Sequence, residues 1–228
     1  MRLYVGTSGW SYDWNKGRSL EWFVNNSGLP AIELNGSFYR FPSESTVAGW
    51  AESGKSLRWS VKVHRGVSHN HNFDREAFAI WERFFKRFSS LDTLVEFYLF
   101  QAPPHFSDTG RLAGFADDAG IGSRFALEIR DPVLLGDDEA CRRLQSHATL
   151  VSVDSPDFEE RIFPGEIIYL RMHGRGKRWY FYMYSDDELR GILKQLDAAN
   201  PREAYVFFNN DHAMLENACR LLNLWAGE

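Results

Sequence analysis

The sequence predicts an α/β fold, a TIM-type (β/α)8 barrel in one domain over residues 1–228, with an irregular or missing helix between the sixth and seventh strands. Three observations predict it. Eight strand-like runs alternate with helix-like stretches, which implies parallel βαβ units, and eight of them favour closure. A chain of 228 residues has the length of one such barrel. The strand-like runs also end in polar or charged residues: Glu33 and Asn35, Lys62 and His64, Gln101, Glu128 and Arg130, Ser152 and Asp154, Arg171 and His173, and Asn209. Residues at i and i+2 of a strand share a face, and burying that many polar groups without partners would cost about 1–3 kcal/mol each. A shared polar site at the carboxyl ends of the strands explains them, with Thr7, Ser8 and Trp10 added after the first strand.

The elements follow in order. Leu3–Gly6 is the first strand, and Gly6-Thr7-Ser8-Gly9 a tight strand-to-loop turn whose amides and hydroxyls suit either an anion or simply a glycine-enabled bend. Helix-like Leu20–Asn26 leads to strand Ala31–Asn35, then Ser43–Ala51, where Ser43 or Ser45 supplies a start signal ahead of the Trp50 face. Strand Arg58–Val63, helix Arg75–Phe88, strand Val95–Gln101, helix Thr109–Ala119, strand Phe125–Arg130 and helix Asp137–Ser146 continue the alternation. After strand Thr149–Asp154 the segment Ser155–Gly165 is short and holds Pro156 and Pro164, so no full helix is expected there. Strand Ile167–Arg171 follows, then helix Ser185–Ala199, opened by the capping-box pair Ser185 and Glu188. Strand Ala204–Asn209 and helix Met214–Trp225 complete the pattern. No composition shift, repeat or low-complexity run marks a second domain.

Composition narrows the function classes. A hydrophobic share of 44% and a charged share of 25% are those of a soluble globular protein, and 8 Trp with 18 Phe suggest a large core and an aromatic-lined cleft. The net charge of −5 argues against a general nucleic-acid coat. No segment approaches the roughly 20 apolar residues of a membrane span, and Met1 to Gly9 lacks the pattern of a signal peptide. Cys141 and Cys219 lack metal-ligand spacing and read as reduced thiols, so a cytoplasmic protein is expected.

Taken together, GTSGW at Gly6–Trp10, IELNGSFYRFPS at Ile32–Ser43, WSVKV at Trp59–Val63, FQAPP at Phe100–Pro104, ALEIR at Ala126–Arg130, YLRMHG at Tyr169–Gly174 and FFNNDH at Phe207–His212 resemble the YecE-like family, domain of unknown function 72. The match runs in order over nearly the whole chain. The resemblance implies a TIM-type barrel; that family has no established reaction, so it implies no activity. Its signature positions fall here on Ser8, Trp10, Glu33, Asn35, Phe38, Tyr39, Arg40, Lys62, His69, Gln101, Glu128, Arg130, Asp154, Arg171, His173, Asn209 and Asn210. The chain departs from the family at Ala102, where leucine is usual, at Asp131–Leu135, where an aromatic stretch is usual, and in a shorter loop near Asp13–Ser19. The second departure leaves an aromatic wall beside strand five without support.

The candidate residues each admit a functional and a structural reading. Arg130, Arg171 and Lys62 bring fixed positive charge to one face, and Arg175, Lys177 and Arg178 extend it. They either hold an anion, as barrels do near the loops after strands seven and eight, or pair with Glu128, Glu33 and Asp154 and form a solvated loop. Glu33, Glu128 and Asp154 are acid and base candidates or the counter-ions of those cations. Lys62 is a Schiff-base nucleophile if desolvated and an electrostatic clamp if its neighbours keep it charged. His173 shares a face with Arg171 and is the proton-transfer candidate, or a satisfied core histidine. His64, His69, His71, His105, His173 and His212 include no tight metal-ligand spacing, and no Walker loop, dinucleotide fingerprint or nucleophile elbow is present, so neither metal nor cofactor is expected. Trp10, Tyr12, Trp14, Phe38, Tyr39, Trp179, Tyr180, Tyr182 and Tyr184 crowd the neighbouring loops and suit stacking on a ring or packing among themselves.

The expected function is acid–base chemistry on a small anionic substrate, a phosphorylated sugar or nucleotide-like molecule, by a hydrolase, lyase or isomerase. Glu128, Asp154, His173 and Lys62 are the catalytic candidates. Ser8, Trp10, Glu33, Asn35, Tyr39, Arg40, Gln101, Arg130, Arg171, Asn209 and Asn210 are the substrate-binding ones. Two alternatives stand beside it: a nucleic-acid-binding protein or metal-dependent nuclease-like barrel using the basic aromatic segment Arg171–Tyr184, and a barrel that binds a ligand without turning it over.

Overall fold

The computed structural model describes residues 1–178 and 180–227. Its strands are β1 (Arg2–Ser8), β2 (Ala31–Leu34), β3 (Arg58–Lys62), β4 (Val95–Gln101), β5 (Phe125–Glu128), β6 (Thr149–Ser155), β7 (Phe158–Arg161), β8 (Ile167–Met172) and β9 (Glu203–Phe208). They form one sheet in the order β5-β4-β3-β2-β1-β9-β8-β6-β7, and a further parallel pairing of β5 with β6 closes eight parallel strands into a barrel. The helices are α1 (Leu20–Asn26), α2 (Glu44–Ser53), α3 (Arg75–Arg87), α4 (Thr109–Ala119), α5 (Pro132–Gly136), α6 (Asp138–Gln145), α7 (Asp186–Ala199) and α8 (Met214–Ala226).

The start signals act as the residues dictate. Ser43 accepts from the Thr46 amide and opens α2, while Ser185 and Glu188 form the complete capping box of α7. Two elements differ from expectation. Between β6 and β8 the chain makes β7, antiparallel to β6 with Val153 opposite Arg161 and Ser155 opposite Phe158. The two prolines rule out a helix, and a hairpin satisfies the backbone instead. Pro132 sits at the first position of α5, whose capping residue Asp131 accepts from the Leu134 amide, so the non-aromatic stretch after β5 forms a short helix.

The chain divides into two compact units. One holds residues 1–33, 53–58 and those from Val151 onward. In it β1 pairs with β9 along Arg2–Thr7 and with β2 at Gly6–Ala31, Thr7–Ile32 and Ser8–Glu33. Gly6 is required by this pairing, because a Cβ there would stand 2.4 Å from the Ala31 carbonyl oxygen. The register sets Ser8 beside Glu33, and on β6 and β8 it sets Asp154 beside Met172. α7 buries Leu189, Ile192, Leu193 and Leu196, the apolar stripe of an amphipathic helix. α8 buries Met214, Ala218 and Leu221 together with Asn217.

The other unit holds residues 34–52 and 59–150. Its core is aromatic: Phe100 stacks on Phe125 with ring centres 3.9 Å apart, and Trp81 meets Phe100 at 5.0 Å and Tyr98 at 5.1 Å. Each such ring contributes about 1.5–3 kcal/mol through burial. Cys141 in α6 and Cys219 in α8 are free thiols. Among the described residues no helix is long and apolar enough to cross a membrane.

Candidate functional site

Apart from Ser152, which lies in the middle of β6, the predicted polar strand-end residues lie at or just after the carboxyl ends of their strands. In the first unit, Glu33 at the end of β2 and Arg171 on β8 are fully buried and form a two-pronged ion pair, Nε to Oε2 at 2.9 Å and Nη2 to Oε1 at 2.7 Å. The Ser8 hydroxyl donates to Oε1 and the Tyr169 hydroxyl to Oε2, each at 2.5 Å. Glu33 thus receives four donors, which occupy the acceptor sites a carboxylate offers.

Asp154, at the end of β6, is bound by Arg175, whose Nε reaches both carboxylate oxygens at 3.0 Å and whose Nη2 reaches Oδ2 at 2.6 Å. The Tyr184 hydroxyl donates to Oδ1 at 2.7 Å and accepts from the Gly174 amide at 2.8 Å. Burial, followed by the Asp154 charge, pushes the Tyr184 phenol well above its ordinary range, so it stays a donor. His173 is fully buried, and its Nδ1 lies 3.2 Å from the Asn209 amide nitrogen. The Asn209 donor assigns the proton of a neutral ring to Nε2.

The loop after β8 is fastened in part by Asn217 and Arg220, which the sequence did not single out. Asn217 on α8 accepts from the Tyr184 amide at 3.1 Å and donates to the Tyr184 carbonyl at 3.1 Å, and Arg220 donates to the same carbonyl. Asn210 donates to the Tyr182 carbonyl and to Asn217. Tyr182 donates to Glu188; that bond, followed by burial, pushes its phenol up to about 12. Arg171 and Arg175 are therefore engaged with carboxylates, which leaves Lys177 and Arg178 as the exposed basic residues of the stretch expected to meet nucleic acid.

In the second unit, Lys62 at the end of β3 holds its ammonium 4.3 Å from the centre of the Phe38 ring, and the edge of Phe38 meets His69 at 5.1 Å. His69 lies on the π-helical turn Gly66–Asn70 that follows β3, an irregularity frequent at functional sites. Its Nδ1 is 2.9 Å from the Ser68 hydroxyl. Partial burial, followed by the charges of Lys62, Arg65 and Arg130, holds its pKa below the ordinary value. Glu128, fully buried at the end of β5, pairs with Nε of Arg130, and Gln101 from β4 reaches its Oε1 at 3.5 Å. His64 accepts from the Gly66 amide, and its pKa is lowered by burial and then by Arg65.

The remaining candidates are placed as follows. Trp10 is half-buried, with its carbonyl accepting from Asn15; Asn35 is half-buried, and Tyr39 and Arg40 are exposed. Tyr12 stacks on Trp14 at 5.7 Å, so these rings pack on each other. Trp179 lies outside the described residues. Among the described residues no three His, Cys, Asp or Glu side chains gather as a metal site would require. His69, Arg175, Tyr184 and Asn217 are the additions the geometry makes to the expected set; His69 carried a signal through the resemblance, Arg175 as part of the basic loop and Tyr184 as one of the crowded aromatics, while Asn217 carried none.

These strand ends, on a closed parallel barrel, are those of a TIM-barrel protein with its polar residues on the carboxyl side. The chain belongs to the family described as protein of unknown function DUF72, which it matches over residues 4–227. It is similar to a DUF72 family protein of Enterococcus faecalis, 18% identical, with a TM-score of 0.83 over 98% of this chain and 95% of that one. A DUF72 family protein of Thermotoga maritima is 24% identical, with a TM-score of 0.82 over 99% of this chain and all of that one. More distantly, D-psicose 3-epimerase from Clostridium cellulolyticum, solved with D-tagatose, is 12% identical, with a TM-score of 0.62 over 98% of each chain. At these identities the structural likeness speaks for the fold alone. No curated protein matches the chain.

Proposed function

We propose that the protein is an enzyme that uses acid–base side chains on a small anionic substrate, a phosphorylated sugar or nucleotide-like molecule. The observation that carries this reading is the surrounding of His69: its ring meets Phe38, which also carries the Lys62 ammonium, and burial, followed by the charges of Lys62, Arg65 and Arg130, lowers its affinity for a proton. An imidazole kept neutral near fixed positive charge is ready to accept a proton from a substrate whose anion those cations hold. Lys62 and Arg130 take the anion, Glu128 aims Arg130, and Gln101 and Asn35 orient polar groups. The cation–π contact with Phe38 favours the charged ammonium, so Lys62 acts as a clamp and not as a Schiff-base nucleophile.

In the other unit the same reading separates two kinds of residue. Ser8, Glu33 and Arg171 satisfy one another and hold strand ends. Asp154 is committed to Arg175 and Tyr184, and so positions the loop after β8. Asn209, half-buried with its amide nitrogen 3.2 Å from His173 Nδ1, is the residue of that unit assigned to the ligand.

Thermal shift and calorimetry with inorganic phosphate, phosphosugars, nucleotides and neutral sugars test the reading on wild type, Lys62→Met and His69→Gln. A phosphorylated ligand at about 100 times its Kd should stabilise the wild type by about 2.7 kcal/mol. Lys62→Met should lose that gain, and His69→Gln should keep binding while losing turnover. Stabilisation by oligonucleotides or divalent metals alone would overturn it.

A further inference from the structure

We propose that a second site, in the unit that carries β8 and β9, binds a small organic cation, an ammonium group on a compact carrier. A cavity of about 310 Å³ opens between the loop after β8 and the start of α8, lined by Tyr180, Phe181, Tyr182, Met183, Asn210, Asp211, His212 and Ala213. That volume lies at the lower end of small-molecule sites, about 300–1,000 Å³. Its chemistry is that of a cation receptor. Tyr180, Phe181 and Tyr182 supply three aromatic side chains, and no lysine or arginine is among the described residues that line it. Phe181 is 60% exposed and Tyr180 40% exposed, so the rings are open to a ligand. Arg178, which is not among the lining residues, stands over one face of the Phe181 ring at 5.0 Å, so a ligand meets the other face.

The polar lining has the matching sign. Asn210 is 1% exposed and spends its amide nitrogen on the Tyr182 carbonyl and on Asn217, which fixes the side chain's orientation. Its Oδ1 is buried without a hydrogen-bond donor, in a residue that lines the cavity. Asp211 adds a carboxylate, engaged by His212 only at 3.7 Å. The amino end of α8 favours anions, and the Asp211 charge and the Asn210 oxygen oppose it.

The backbone supports a built site. Tyr180 with φ +68° and Asp211 with φ +56° are both held in the left-handed region, which non-glycine residues avoid. Two such residues face one cavity from two different loops. Strain of this kind persists where the surrounding structure enforces it, and it clusters at ligand clamps.

Isothermal calorimetry of choline against its neutral carbon isostere, in which a quaternary carbon replaces the nitrogen, tests the proposal on wild type, Asp211→Asn and Phe181→Leu. Asparagine tolerates the left-handed backbone and removes only the charge, and leucine keeps apolar volume while removing the ring. The wild type should bind choline about tenfold more tightly than the isostere, and each variant should weaken choline about fivefold at an unchanged melting temperature without ligand. Equal binding of the isostere, unchanged affinity in both variants, no choline binding at millimolar concentration, or binding of inorganic phosphate at this cavity would each overturn it. The proposal does not rest on the anion site, because Lys62→Met leaves this cavity intact and should bind choline as the wild type does.

Discussion

Arg171 holds both oxygens of Glu33 across 138 residues of sequence, with neither side chain reachable by solvent. A buried pair of this kind is costly to break from one side, since the remaining charge has nowhere to go. Arg171→Met should therefore lose about 3–5 kcal/mol in urea denaturation. Replacing both residues by apolar ones of similar volume should recover part of that loss. Wild-type stability in Arg171→Met with loss of ligand binding would instead assign the arginine to the ligand.

Tyr184 joins two strand ends through one oxygen, donating to Asp154 and accepting from the Gly174 amide. Tyr184→Phe strips a donor from a buried carboxylate and an acceptor from a buried amide. The expected loss is about 1–3 kcal/mol with the fold retained, read as a lower denaturation midpoint at unchanged slope.

His64 and His69 both have pKa values lowered from 6.5 in the folded protein. The unfolded chain then binds more protons below that pH, so stability is full above about pH 6.5 and is lost as the pH falls toward the lowered values. The melting temperature should drop from pH 7 to pH 5.5, and His64→Gln/His69→Gln should flatten that slope. Glu188, lowered because the bonds from Tyr182 and Ser185 outweigh its burial, acts in a separate window below its ordinary 4.5. A slope that survives the double substitution would remove these histidines as its cause.

Gly6→Ala would push a methyl group onto the Ala31 carbonyl, where backbone cannot yield without parting β1 from β2. A loss on the order of 3 kcal/mol is expected. A crystal structure of a stable Gly6→Ala protein with β1 and β2 still in register would contradict it.

The fold was legible because alternation, length and strand-end polarity agreed, and Ser185 with Glu188 capped the helix where their spacing said. Local signals stop at local partners. The spacing of Glu128 and Arg130 admitted their ion pair as one of two readings, but nothing near Glu33 pointed to Arg171 in particular, because that pairing follows from barrel closure. The prolines in Ser155–Gly165 excluded a helix without announcing β7, whose pairing depends on β6 alongside it. His69 gained weight only once a π-helical turn set it near Lys62 and Phe38, a conformation that residue type does not encode. Asn217 looked like an ordinary polar residue in an amphipathic helix; its partners arrive from a loop 33 residues earlier.

That last connection also sets a clock. Asn217 and Arg220 hold the Tyr184 backbone, yet they emerge from the ribosome 33 and 36 residues after it. At about 5–20 residues per second, the segment waits roughly two to seven seconds for its fastening. The strands β1, β6 and β8 have all been made by then, so this loop takes its final shape only once α8 has followed it, and anything that delays α8 delays it.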